Sequence, residues 1–71
     1  MNTIEFQNIK TNINKYEGSK VAFVSFIPSA NRYTTSIGYI EGVGFGVFKE
    51  SIVINERGRQ HTIHYTKVSL I

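Results

Sequence analysis

The chain has 71 residues, with 8 Lys and Arg against 5 Glu, no Asp, no Cys and a net charge of +3. That length gives a single domain, residues 1–71, with a marginal core, and the lack of Cys excludes disulfides and thiolate metal sites. The charge excess is mild: it permits an anionic partner without demanding one.

Apolar residues make up 41% of the chain and charged residues 18%, below the ~25% charge typical of globular domains, so the composition is that of a folded chain. A core this small gains stability from disulfides, metals or association. With no Cys, association is the expected source, and open edge strands offer a route to a homo-oligomer. Met1-Asn-Thr-Ile-Glu5 lacks a charged start followed by an apolar run, and Val21–Val24, the longest apolar stretch, is too short to span a bilayer. A soluble cytoplasmic protein is expected, with no membrane partner.

Residues 4–16 carry two patterns. Phe6, Ile9, Ile13 and Tyr16 fall along one helical face, with Lys15 in the last turn and Gly18 just beyond it. Thr3, Asn8, Thr11, Asn12 and Asn14 are poor helix formers, and Thr3–Ile9 also alternates like a strand. The balance favours a short helix or turn over 8–16, with a strand as the open alternative.

From Lys20 onward the pattern is β. Val21–Ile27 is rich in β-branched and aromatic residues and reads as a buried strand, ended by the only proline in Pro28–Arg32. Tyr33–Val43 alternates, with Tyr33, Thr35, Ile37 and Tyr39 on one face. Val47–Ile54 is expected to form a third strand. Asn55–Gly58 reads as a turn in which Gly58 suits a positive φ. His61–Tyr65 and Val68–Ile71 then make one bent strand or two short ones.

Gly38, Gly42, Gly44 and Gly46 interrupt an otherwise strand-like stretch. Glycine within a strand marks a bulge, a bend or a close backbone approach. Several together predict a sheet curling into a small barrel. The expected fold class is therefore all-β (mainly β): a strongly bent, five-stranded SH3-like or Sm-like barrel.

Catalytic chemistry finds little support. His61 and His64, three apart in a strand, point to opposite sides and cannot share a metal within one chain, and no Asp or Cys completes a site. The five Glu are scattered, and Glu41 reads as a solvent-facing strand residue. The run Gly42-Val-Gly-Phe-Gly46 has neither the spacing nor the following helix of a dinucleotide fingerprint. No serine sits in a nucleophile elbow. The chain is expected not to be an enzyme and to carry no cofactor or metal.

Basic and aromatic residues offer more. Arg57, Arg59 and His61 cluster around the turn before the last strands, Arg32 and Tyr33 share another loop, and Lys49 and Lys67 are placed on strands. Arg and Tyr at the loop tips of a small barrel pair with phosphates and stack on unpaired bases. A solvated polar hairpin tip is the plain structural alternative.

Read from Ile13 to Ile71, the order of features resembles the Sm-like family, of the Hfq type. Tyr16-Glu-Gly-Ser-Lys-Val-Ala-Phe-Val24 looks like that family's passage from an N-terminal helix into its first strand. Gly38-Tyr-Ile-Glu-Gly-Val-Gly44 is similar to its first motif, with Gly44 standing where Asp is usual. Ser51–Ile54 would be the following strand, and Ile63–Ile71 looks like the closing motif where neighbouring subunits pair. The resemblance implies a ring of subunits joined through edge strands, with a basic RNA-binding pore or rim.

Three functions follow as expectations. The first is a small oligomeric module binding single-stranded nucleic acid, with Arg57, Arg59, Lys67 and Arg32 on phosphates and Tyr33 or His61 stacking. The second is a protein-interaction module, such as a phage- or mobile-element-type inhibitor of a host enzyme, anchored by residues among Tyr16, Tyr33, Tyr39 and Phe45. The third is an oligomeric sponge for a nucleotide-like small molecule, using Arg59, His61 and backbone amides at the glycines.

Overall fold

Asn2 decides where the chain first becomes regular. In the computed structural model, which describes residues 1–71, its Oδ1 accepts the Glu5 amide at 2.8 Å while Glu5 Oε1 accepts the Asn2 amide at 3.3 Å. Such a capping box stabilises a helix start by about 1 kcal/mol. Helix α1 spans Thr3–Thr11, and a further single turn, α2, spans Ile13–Tyr16. The segment is thus helical and begins earlier than residue 8, because the cap offsets the weak helix formers around it. Phe6 and Ile9 are buried, and Ile13 and Tyr16 pack against the core below them.

Five strands follow: β1 Lys20–Ile27, β2 Arg32–Val43, β3 Ser51–Glu56, β4 Arg59–His64 and β5 Val68–Leu70. They form one antiparallel sheet in the order β4-β3-β2-β1-β5. The fold is mainly β. The sheet does not close, so β4 and β5 are both edges.

It does bend sharply. Two strands separate β1 from β4, which in a flat sheet would put them about 14 Å apart. Yet the rings of Phe23 on β1 and His61 on β4 lie 5.0 Å apart, centroid to centroid. Two local features produce the curl. Glu41 is an extra residue between the pairs Ile40↔Ile54 and Gly42↔Val53, a bulge that sharpens the twist. At Gly38 a Cβ would come within 2.6 Å of Ile54 Cγ2 and 2.7 Å of the Asn55 carbonyl oxygen, so the missing side chain lets β3 press onto β2. Gly42, by contrast, faces open space. The curvature belongs to Gly38 and the bulge rather than to every glycine of the cluster.

The segment expected as a strand from Val47 starts only at Ser51. Residues Gly46–Phe48 form a 3-10 turn, with Phe48 N–H donating to Phe45 O and Lys49 N–H to Gly46 O. At Gly44 a Cβ would sit 2.1 Å from the Phe48 carbonyl oxygen, so the loop doubles back tightly there. The strand-like Val47 and Phe48 consequently face outward. The β3–β4 turn is Arg57-Gly58, both at positive φ, while Asn55 and Glu56 stay in β3 and Asn55 Oδ1 accepts the Gly58 amide. The end of the chain resolves into two strands joined by a 3-10 turn, Tyr65–Lys67, so Lys67 lies on a turn and not on a strand. Lys49 likewise caps the 3-10 turn before β3.

The core comprises Phe6, Ile9, Val21, Phe23, Ile40, Ile52, Ile54 and Val68. Helix α1 lies over the sheet, where Phe6 and Tyr65 stack at 4.5 Å, nearly parallel. No helix is long and apolar enough to cross a membrane. β3 pairs with β2 only from Tyr39 onward, and β5 pairs with β1 only at Val21–Phe23. Beyond those points β1 and β2 continue as a two-stranded arm, closed by Ile27↔Arg32.

Candidate nucleic-acid interface

The β1–β2 ribbon sorts its residues by alternation. Val21 and Phe23 face the core, so Lys20, Ala22, Val24 and Phe26 face outward, opposite Tyr39, Ile37, Thr35 and Tyr33 of β2. The four residues that alternate along β2 are all exposed, as their shared face implies. Phe26 and Tyr33 form a cross-strand pair with ring centroids 5.1 Å apart and a 43° tilt. Tyr33 is 65% exposed and Phe26 48%, so both rings offer surface to solvent.

Lys67 completes this cluster. Its Nζ stands 5.7 Å from the centroid of the Tyr33 ring, a cation–π distance. The turn Tyr65–Lys67 positions it, because β5 pairs beside β1 at Phe23↔Val68. A shallow cleft of about 190 Å³ lies alongside, lined by Ala22, Val24, Thr35, Thr66, Lys67 and Ser69 among others. Tyr39 stands six residues from Tyr33 on the same face, about 20 Å along the strand, with Lys20 opposite it.

The other sequence-derived candidates lie elsewhere. Arg32 is exposed at the arm's tip and, one residue from Tyr33, falls on the other face of the ribbon. Arg59 and His61 share the core-side face of β4, since His61 pairs with the buried Ile54. Arg57 and Arg59, with Glu56, line a cleft of about 310 Å³ at the turn. No hydrogen bond, ion pair or ring contact joins either arginine to Tyr33 or Lys67.

His61 is already engaged. Beyond its contact with Phe23, its Nε2 lies 3.1 Å from Glu56 Oε1, and both side chains are about a quarter exposed. His64 pairs separately, with Nε2 3.2 Å from Glu50 Oε2 and Nδ1 2.8 Å from Thr66 Oγ1. The two histidines therefore use different carboxylates on different faces. No group of three or more His, Cys, Asp or Glu side chains comes together.

These two histidine–glutamate contacts, ion pairs only when the imidazole is protonated, are the only contacts of a basic side chain with a carboxylate. None of the eight Lys and Arg side chains pairs with a carboxylate. Sequence reasoning did not single out Phe26, which fell within a strand expected to be buried; only Val21 and Phe23 of that strand are fully buried, because the other face of β1 is uncovered. No protein-family model matches the chain, and neither the curated proteins nor the solved structures provide a match.

Proposed function

We propose that this chain is a non-enzymatic, Sm-like or SH3-like small β-barrel module that joins copies of itself through its edge strands and binds single-stranded nucleic acid. The observation that carries the reading is the exposed Phe26–Tyr33 ring pair with the Lys67 ammonium over it. Solvent-facing aromatics beside free cations suit unpaired bases, because every base has a π-face to stack and its phosphate needs a positive partner. Lys67 stands beside the rings to contact phosphates, and Arg32, on the other face of the arm's tip, is placed to meet the backbone as it passes the tip. Arg57 and Arg59 supply a second cationic patch, and His61 borders it. That no Lys or Arg is paired with a carboxylate supports the same reading, since an anionic strand need not displace an internal partner.

An N-terminal helix leading into five bent strands agrees with the Sm-like resemblance, and β4 and β5 leave two unpaired edges for subunit joining. The test is fluorescence anisotropy with a labelled single-stranded RNA across a salt series. Affinity is expected to fall steeply, with a slope near −0.7 per phosphate neutralised. Absent or salt-insensitive binding to RNA and DNA overturns the proposal.

A further inference from the structure

The loop between β2 and β3 exposes its apolar side chains on a hydrogen-bonded backbone. Phe45 is 87% exposed, Val47 93% and Phe48 56%, three of the ten large apolar side chains that face solvent, within four consecutive residues. Its backbone is fixed by the tight reversal at Gly44, by the 3-10 turn over Gly46–Phe48 and by the hydrogen bond from Gly44 N–H to Ser51 O at 2.8 Å. Beside it, a groove of about 520 Å³ opens between the loop and the outward face of β3 and β4, floored by Val53, Gln60 and Thr62. No charged side chain lines it.

We infer that this loop and groove form a two-fold interface between two copies of the chain, with Phe45 and Val47 of each copy seated in the groove of the other. The loop's own Phe45, Val47 and Phe48 wall an uncharged groove floored by Val53, Gln60 and Thr62, so the same patch on a second copy can meet it, which is what an isologous contact requires. The lack of charge in the groove matters for two molecules that each carry +3, because the surfaces that meet do not repel. Area also suits it: three such side chains expose roughly 400 Å² per copy, and with Gln60, Thr62 and the loop backbone the pair approaches the ~1,200 Å² of small specific interfaces. A chain with eight buried apolar residues and no disulfide gains stability from covering this surface. The contact lies on a sheet face and is separate from edge-strand joining and from the Tyr33 cluster.

The absence of native Cys allows a direct test. Val47→Cys and Thr62→Cys proteins, mixed and oxidised, are expected to yield mainly the mixed cross-linked dimer, since residue 47 of one copy meets residue 62 of the other. In light scattering, Phe45→Ser with Val47→Ser is expected to halve the mass of the wild-type assembly while circular dichroism stays unchanged. A wild-type protein that remains monomeric at high concentration overturns the inference. So does an assembly whose mass ignores the double substitution and whose cysteine variants do not cross-link, which would leave edge strands as its only contact. Loop-dependent flotation with anionic vesicles by a monomeric protein would overturn it in favour of a lipid surface. RNA anisotropy measured on the same variants separates this outcome from failure of the nucleic-acid reading.

Discussion

Phe23 and His61 touch at 5.0 Å across a sheet in which two strands stand between them. This contact reports the curl directly and ties the first strand after the helix to an edge strand. Phe23 is essentially buried, whereas His61 keeps about a quarter of its side chain in solvent. Replacing Phe23 by Ala is expected to cost about 3–5 kcal/mol, a large part of the stability of so small a domain. Urea denaturation followed by circular dichroism measures it, and a loss under 1 kcal/mol would mean that the curl is held elsewhere.

The two central glycines should part company. Gly38→Ala forces a methyl against Ile54 and the Asn55 carbonyl and is expected to destabilise by about 1–3 kcal/mol. Gly42→Ala meets open space and should stay within about 0.5 kcal/mol of the parent. Equal effects on the urea midpoint would contradict the assignment of curvature to Gly38.

Removing the cap at the other end of the chain tests a local link. Asn2→Ala deletes the acceptor for the Glu5 amide and should cost about 1 kcal/mol. Hydrogen exchange should quicken at the first-turn amides of α1, while amides in β2 and β3 keep their protection. Uniform loosening of the sheet would show that the helix start is not an independent unit.

For nucleic acid, the sign and kind of each effect differ by residue. Tyr33→Ala removes a stacking surface and should weaken RNA binding by about 1–3 kcal/mol, with Tyr33→Phe close to the parent. Lys67→Gln should instead flatten the salt dependence by about 0.7 in slope, the share of one phosphate on a single strand. If Tyr33→Ala leaves the affinity intact, the outer face of the arm is not the binding surface.

Gly44→Ala tests the doubled-back loop. A Cβ there would stand 2.1 Å from the Phe48 carbonyl oxygen, so the loop must open. Amide exchange at Phe48 and Lys49, whose protons are held within the turn, should rise several-fold while the core keeps its protection. Unchanged exchange at both would contradict the tight reversal.

Much of the scaffold was legible because two-residue periodicity is a strong signal. Tyr33, Thr35, Ile37 and Tyr39 alternate in sequence and share an exposed face in the structure. The helical spacing of Phe6, Ile9, Ile13 and Tyr16 was equally readable, though its start was not, because a cap formed by Asn2 and Glu5 acts before the periodic residues begin. Val47 and Phe48 misled for a physical reason: their side chains favour strands, but Gly44 and Gly46 let the backbone take a path that propensity does not encode. The surroundings of the candidate residues depended on register. Nothing local in the sequence places Lys67 over Tyr33, 34 positions earlier, or sets His61 against Phe23. Those pairings exist only once β5 lies beside β1 and the sheet has curled.

The unpaired state of every lysine and arginine has a further consequence. Since none is bound to a carboxylate, substitutions among them, apart from Lys10 and Lys67, which sit over the rings of Phe6 and Tyr33, and Arg57, whose φ is positive, leave the scaffold's free energy nearly untouched. Ligand preference can thus drift, or be re-engineered, one cation at a time without compensating repairs inside the domain.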